Sequence, residues 1–104
     1  MESNGLSISS AVNGDINEVK LVGRLDVKTA KEAEAAFVEA AGAATSVVLD
    51  LSELDYIASA GLRALKRLRS GVRANGGTLT IRGTKDDVME VFEITGFAAM
   101  LTFE

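Results

Sequence analysis

The sequence predicts an α/β fold: a mainly parallel or mixed sheet of four to five strands, with elements in the order β-β-α-β-α-β-α-β. Three observations predict it. Val47-Val48-Leu49 is a branched apolar run of the kind a central parallel strand carries, since such a strand is covered on both faces. Around it, stretches with strand periodicity alternate with stretches whose apolar residues recur every three to four positions, the pattern of βαβ units. Near the start, an Asn13-Gly14 turn signal between two alternating runs marks one antiparallel hairpin. Strands joined through helices pair in parallel by right-handed crossovers, but the pattern leaves the strand order open.

The elements follow in order. Leu6, Ile8 and Ser10 begin the first strand, and Ile16, Val19 and Leu21 carry the return strand to Gly23. The first helix has two candidate caps, Asp26 alone or Thr29 with Glu32 as a capping box. Its Ala30, Ala33, Phe37 and Ala41 share one face, with Lys31, Glu32, Glu34 and Glu39 mostly away from it, and Gly42 falls near its end. The buried strand 47–51 comes next, then a short acidic connection. A second helix runs from about Ser59 to Ala74, with Leu62, Leu65 and Leu68 at helical spacing. Ser59 is a residue type favoured at a helix N-cap. Asn75-Gly76-Gly77 stops the helix, because Asn and Gly accept the left-handed conformation. Residues 78–82 alternate, with Leu79 and Ile81 inward. Thr84 with Asp87 caps a third helix, whose Val88, Val91, Phe92 and Thr95 share a face and which Gly96 ends. Leu101 and Phe103 suggest a short last strand. Leu49, Leu65, Leu79, Ile81, Val88 and Phe92 are expected in one core, and strands 47–50 and 78–82 are expected to pair in parallel, directly or through a common neighbour. Tyr56 and Ile57 read as core. Phe97 is either a capping contact or an exposed anchor for a partner.

Composition narrows the function. A chain of 104 residues is one domain's worth, spanning 1–104. It has no Cys and no His, so disulfides, thiol chemistry, a Cys/His zinc site and Ser-His-Asp catalysis are all excluded. Neither Gly-x-Gly-x-x-Gly nor a Walker pattern occurs. Neither enzyme activity nor a cofactor nor a metal is therefore expected. The Asp26/Asp55 pair invites an acid–base reading, but no spacing or nucleophile supports one. There is no apolar run long enough to span a membrane and no basic-then-apolar leader, so the cytoplasm is the simplest compartment. The net charge of −4 argues against direct nucleic-acid binding. Positive charge is nevertheless concentrated: between Tyr56 and Lys85 lie Arg63, Lys66, Arg67, Arg69, Arg73 and Arg82 with no acidic residue among them. A solvated helix face accounts for this first, and a docking stripe for an acidic protein second.

Ser59 is the focus of the candidate site. A hydroxyl at a helix start lies beside unpaired backbone N–H groups and the positive end of the helix dipole, where a phosphate is tolerated. Ala58, Ala60 and Gly61 leave it unshielded. The segment Asp50-Leu51-Ser52 followed by Ala58-Ser59-Ala60-Gly61-Leu62-Arg63 resembles the signature of STAS domains, and within them the bacterial anti-sigma factor antagonists. Val22-Gly23-Arg24-Leu25-Asp26 with Thr29-Ala30, Asn75-Gly76-Gly77-Thr78-Leu79 and Gly96-Phe97 are similar to further family segments in the same order. The resemblance implies one STAS-like domain with its helices stacked on one face of the sheet. It implies a partner-switching regulator of sigma-factor-dependent transcription, a phosphoprotein whose Ser59 is phosphorylated by an anti-sigma factor that is itself a serine kinase and reset by a serine phosphatase. Asp26, Asp55, Ala58, Ser59, Gly61 and Arg63 would form the partner-binding surface of a monomer or weak dimer. The chain departs from the family pattern at Ala58 and Ala60, where many members carry Asp and a second hydroxyl, so Ser59 is the one hydroxyl in this motif. Two alternatives stand beside this reading: a STAS module of a stress-signalling or lipid-transport assembly, and a small nucleotide-binding or hydrolytic domain.

Overall fold

In the computed structural model, which describes residues 2–3 and 5–104, six strands form one mixed sheet whose spatial order is the chain order. The elements are β1 (Glu2–Ser3), β2 (Leu6–Asn13), β3 (Ile16–Leu25), α1 (Ala30–Ala43), β4 (Ser46–Ile57), α2 (Ser59–Ala74), β5 (Leu79–Arg82), α3 (Asp86–Thr95), a 3₁₀ turn (Phe97–Ala99) and β6 (Thr102–Phe103). β2 pairs antiparallel with β1 and β3, and β3 through β6 run parallel. The five expected strands all form, and the two residues of β1 add a short edge. The parallel pairing of β4 with β5 matches Val47 to Leu79 and Asp50 to Arg82.

Alternation decides which side of the sheet is covered. Asn17, Val19 and Leu21 of β3, Val47, Leu49 and Leu51 of β4, and Leu79 and Ile81 of β5 are buried. The apolar ones share a single core with Phe37 of α1, Leu62, Leu65, Leu68 and Val72 of α2, and Val88 and Phe92 of α3. The intervening residues face the other way and remain partly in solvent: Glu18, Lys20, Asp50 and Arg82. They pair there, Arg82 with Glu18 at 2.5 Å and Lys20 with Glu53 at 2.5 Å. The helices thus stack on one face and leave the other as a polar surface. Phe97 is half-buried and packs against the core, which makes it a closing contact for the turn after Gly96.

Several local expectations are corrected. The acidic connection after residue 51 is strand: β4 continues to Ile57, and two register shifts against β3, between Lys20 and Val22 and between Gly23 and Arg24, absorb the irregular pattern. Such bulges return Leu54 and Ile57 to the core while Ser52, Glu53, Asp55 and Tyr56 stay outside. The hairpin turns one residue later than Asn13-Gly14 suggests. Asn13 pairs with Ile16, so Gly14 and Asp15 are the loop, and Gly14 takes the left-handed φ of 65° there. Neither Thr side chain makes a cap bond, although Thr29 does hold the N-cap position of α1. Thr29 is fully buried; its Oγ1 donates to the Arg24 carbonyl and accepts from the Asp26 N–H, both at 2.9 Å. Thr84 Oγ1 is buried without a hydrogen-bond partner, and α3 starts after Lys85 instead.

Candidate functional site

β3 and β4 are parallel neighbours, so their C-terminal ends meet. Leu25 lies opposite Ile57, which sets the loop at Asp26 beside Ala58. The Ala58 N–H donates to the Leu25 carbonyl at 3.0 Å, tying the two ends together. α2 begins immediately after. Ala58, extended at φ −115° and ψ 177°, is the N-cap, and Ser59 is the first helical residue. The expected cap is therefore displaced by one position. Ala58 has no side-chain acceptor, so no side-chain cap bond closes the first turn. Its N–H groups remain available at the positive end of the helix, with the exposed Ser59 hydroxyl beside them.

Gly61 sets how close this helix start comes to the strands. A Cβ at Gly61 would lie 2.7 Å from Leu25 Cγ, 2.8 Å from the Leu25 carbonyl oxygen and 2.9 Å from Ile57 Cγ1. Only a residue without a Cβ fits against both strand ends at this approach.

Asp26 is held in one orientation. Its Oδ1 accepts from the backbone N–H groups of Lys28 at 3.0 Å and Thr29 at 3.3 Å, and its Oδ2 stands 3.5 Å from Arg24 Nε. Partial burial opposes the charge most strongly of any single influence. The two N–H donors and the Arg24 guanidinium together outweigh it, and the carboxyl is held below its ordinary range. Asp26, rather than Thr29, therefore captures the free N–H groups ahead of α1. The guanidinium of Arg24 also stacks 4.3 Å from the Tyr56 ring centroid.

The structure thus brings Asp26, Ala58, Ser59 and Gly61 to one place, with Arg63 four residues beyond Ser59 on the same face of α2. Arg63 is exposed and has no ion-pair partner among the described residues. Asp55 is turned elsewhere. It pairs with Lys85 at the entry to α3, and that bond holds the Lys85 ammonium above its ordinary range. Asp26 and Asp55 are thus occupied by separate partners. Among the described residues no cluster of acidic side chains could hold a metal ion.

Three surface residues were missed. Tyr56, expected in the core, is 42% exposed, and Val27 at the tip of the Asp26 loop is 77% exposed. Arg24 joins them through the Tyr56 ring. Ile57 is buried as expected. Simple alternation signals that Tyr56 and Ile57 cannot both face inward, but the bulges that decide between them leave no clear mark on the sequence.

Comparison with known proteins places this geometry. The model of the STAS domain matches residues 7–104. An anti-sigma-B factor antagonist of Staphylococcus epidermidis is 30% identical over 97 residues, 92% of this chain and 90% of that protein. BtrV of Bordetella bronchiseptica, which bears the name of an anti-sigma factor antagonist, is 48% identical over 54 residues. That match spans 52% of this chain and about half, 47%, of BtrV's own length. The anti-sigma factor antagonist SpoIIAA has been solved in its unphosphorylated form, with a TM-score of 0.72 and 17% identity over 95% of this chain and 86% of that one. In its phosphorylated form, as a Bacillus cell fate determinant, it has a TM-score of 0.71 and 18% identity over 95% and 90%.

Proposed function

The chain belongs to the STAS domain family, and from that premise we propose that it is an anti-sigma factor antagonist switched by phosphorylation of Ser59. Unphosphorylated, it binds an anti-sigma factor that is an ATP-dependent serine kinase, which frees a sigma factor for transcription. The kinase phosphorylates Ser59 and releases the antagonist, and a serine phosphatase restores it. In this scheme the chain is binder and substrate rather than catalyst. Nine-tenths of the Staphylococcus epidermidis antagonist, 90% of its length, aligns with this chain, and the fold is that of SpoIIAA in either form.

One observation carries the reading: the Ser59 hydroxyl is exposed at an uncapped helix start, next to the Asp26 loop. A phosphate on it adds roughly −1.5 to −2 charges at neutral pH. At the first turn of α2 that charge meets free N–H groups and the helix dipole, which favour it by about 0.3–1 kcal/mol. Arg63, one turn on, adds a cation at i+4. The modification therefore leaves the fold intact and acts on the interface. Arg24, Asp26, Val27 and Tyr56 lie on the strand ends and loop that meet this helix start; in a closed interface the first-turn N–H groups and Arg63 offset only part of a dianion that must also shed its water and face the Asp26 carboxylate, and the rest is uncompensated. Such uncompensated burial costs several kcal/mol, and each ~1.4 kcal/mol is tenfold in affinity.

The test is phosphorylation by the cognate kinase with ATP, read by intact mass, on wild type and Ser59→Ala. One added phosphate on wild type and none on Ser59→Ala is expected, with kinase binding lost in proportion. Equal phosphate on both chains would move the switch to another residue and overturn the proposal.

A further inference from the structure

The helix layer carries two surfaces of opposite character that the Ser59 site does not use. The first is a groove of about 460 Å³ between α1 and α2. Phe37, Ala41, Ala64, Leu68 and Gly71 line its floor, and Val38, 74% exposed, stands at its rim. Lys31, Arg67 and Glu34 flank it, with Lys66 on the adjoining exposed face of α2. Arg67 pairs with Glu34 at 3.0 Å; Lys31 and Lys66 have no ion-pair partner among the described residues.

The second surface is the outer side of α3. Val88 and Phe92 turn into the core. Asp86, Glu90 and Glu93 recur at helical spacing on the other side, exposed and without an ion-pair partner among the described residues. Beside them Ile94 is 78% exposed. A carboxylate stripe with one apolar knob thus matches an apolar groove with a basic rim. The lengths match as well. α3 has 10 residues, and the groove runs along α1 from Lys31 to Ala41; at 1.5 Å per residue each is about 15 Å long. Both surfaces lie on the helix-bearing side of the sheet. Two copies facing each other can therefore make the contact reciprocally, and a reciprocal contact closes as a two-fold dimer rather than an open chain.

We infer that this face is a self-association surface on which α3 of one copy seats in the α1–α2 groove of a second copy, Ile94 entering between Val38 and Leu68 and the carboxylates meeting Lys31 and its neighbours. The inference stands apart from the Ser59 reading, because it uses neither the serine nor the Asp26 loop.

Sedimentation equilibrium of the full chain tests it, at concentrations up to the order of 1 mM so that a weak contact is populated. The average mass should rise from the monomer's 10.9 kDa towards twice that value. Ile94→Asp and Val38→Asp should each weaken association by about tenfold or more, with thermal unfolding unchanged because both side chains are exposed. Glu90→Lys with Glu93→Lys should leave a monomer, and adding Lys31→Glu with Arg67→Glu to that chain should recover the dimer by exchanging the charges. A monomer at every concentration overturns the inference. So does a dimer that Ile94→Asp leaves intact, or a charge-exchanged chain that fails to reassociate.

Discussion

Gly61→Ala is the sharpest probe of how the helix start at Ser59 is built. In a helix interior, replacing Gly by Ala ordinarily stabilises by about 0.8–1 kcal/mol. Here the added methyl would meet three atoms at 2.7, 2.8 and 2.9 Å. Two belong to Leu25 and Ile57, side chains with 0% and 2% exposure that have nowhere to yield. The third is the Leu25 carbonyl oxygen, which also accepts the Ala58 N–H that starts the helix. Overpacking of this kind costs roughly 1–3 kcal/mol, and contact from three sides puts this site in the upper half of that range. After the propensity gain, the variant should be destabilised by about 1–2 kcal/mol, and each kcal/mol lowers Tm by ~4–8 °C in a domain of this size. Gly71 supplies the control on the same helix. A Cβ there would meet only Ala41 Cβ, at an ordinary 3.6 Å. Gly71→Ala should therefore stabilise, by about 0.5–1 kcal/mol. Urea unfolding followed by circular dichroism measures both. If Gly61→Ala is as stable as wild type, or both variants shift in the same direction, the close approach of α2 to the ends of β3 and β4 is not what this glycine serves. In Gly61→Ala kept well below its Tm, phosphorylation of Ser59 should also be slowed, because the helix start has been pushed off the strands.

Other expectations follow from the same geometry. Because Ser59 does not cap α2, Ser59→Ala should change stability by less than about 0.5 kcal/mol while accepting no phosphate. Ser59→Asp should unfold like wild type and bind the kinase weakly; normal binding measured by titration calorimetry would remove charge as the basis of release. Arg63→Glu should weaken that binding with no change in melting, since its side chain is exposed and unpaired; a variant that binds normally would exclude α2's first turns from the interface. Asp26 gives a pH signature. Its folded-state carboxyl lies below its ordinary value, so its stabilising effect is full above the unfolded value of about 3.9 and is lost as pH falls through the lower folded one. Asp26→Asn should therefore differ most from wild type near neutrality and converge with it in strong acid, and a stability difference independent of pH across urea melts would contradict this. Leu65, with no exposed surface, should cost about 2–5 kcal/mol on truncation to Ala, and a loss below 1 kcal/mol would show the core has been misplaced.

Much of the fold was legible because its signals are local. The helical spacing of Leu62, Leu65 and Leu68 and the stop at Asn75-Gly76 delimit α2 within a residue, and Val47-Val48-Leu49 marks the central strand. What was not legible is where two segments compete for the same small shift. The Ser59-or-Ala58 cap and the displacement of the hairpin each turn on a single position, and the continuation of β4 from residue 52 to Ile57 rests on two register shifts against β3. Local preference even favours Ser59 over Ala58 as the cap, and the pairing of β4 with β3 as far as Ile57 overrides it. Tyr56 shows the consequence: a large aromatic next to Ile57 reads as core until the bulges place it outside, under the guanidinium of Arg24.

The sequence by itself determined the α/β class, the order of elements, the residues of one core, the exclusion of His- and Cys-based chemistry, and Ser59 as the residue at the helix start. These depend on composition and on periods of two and 3.6 residues, which are written along the chain. Only the tertiary structure decided the strand order, the meeting of Leu25 with Ile57 that sets Asp26 beside Ser59, and the engagement of Asp55 by Lys85 across the sheet. It also decided the placing of a basic groove and an acidic helix on the same side. Those pairings join residues tens of positions apart, and nothing in a local pattern fixes which distant neighbours meet; burying every strand's apolar face under one layer of helices does.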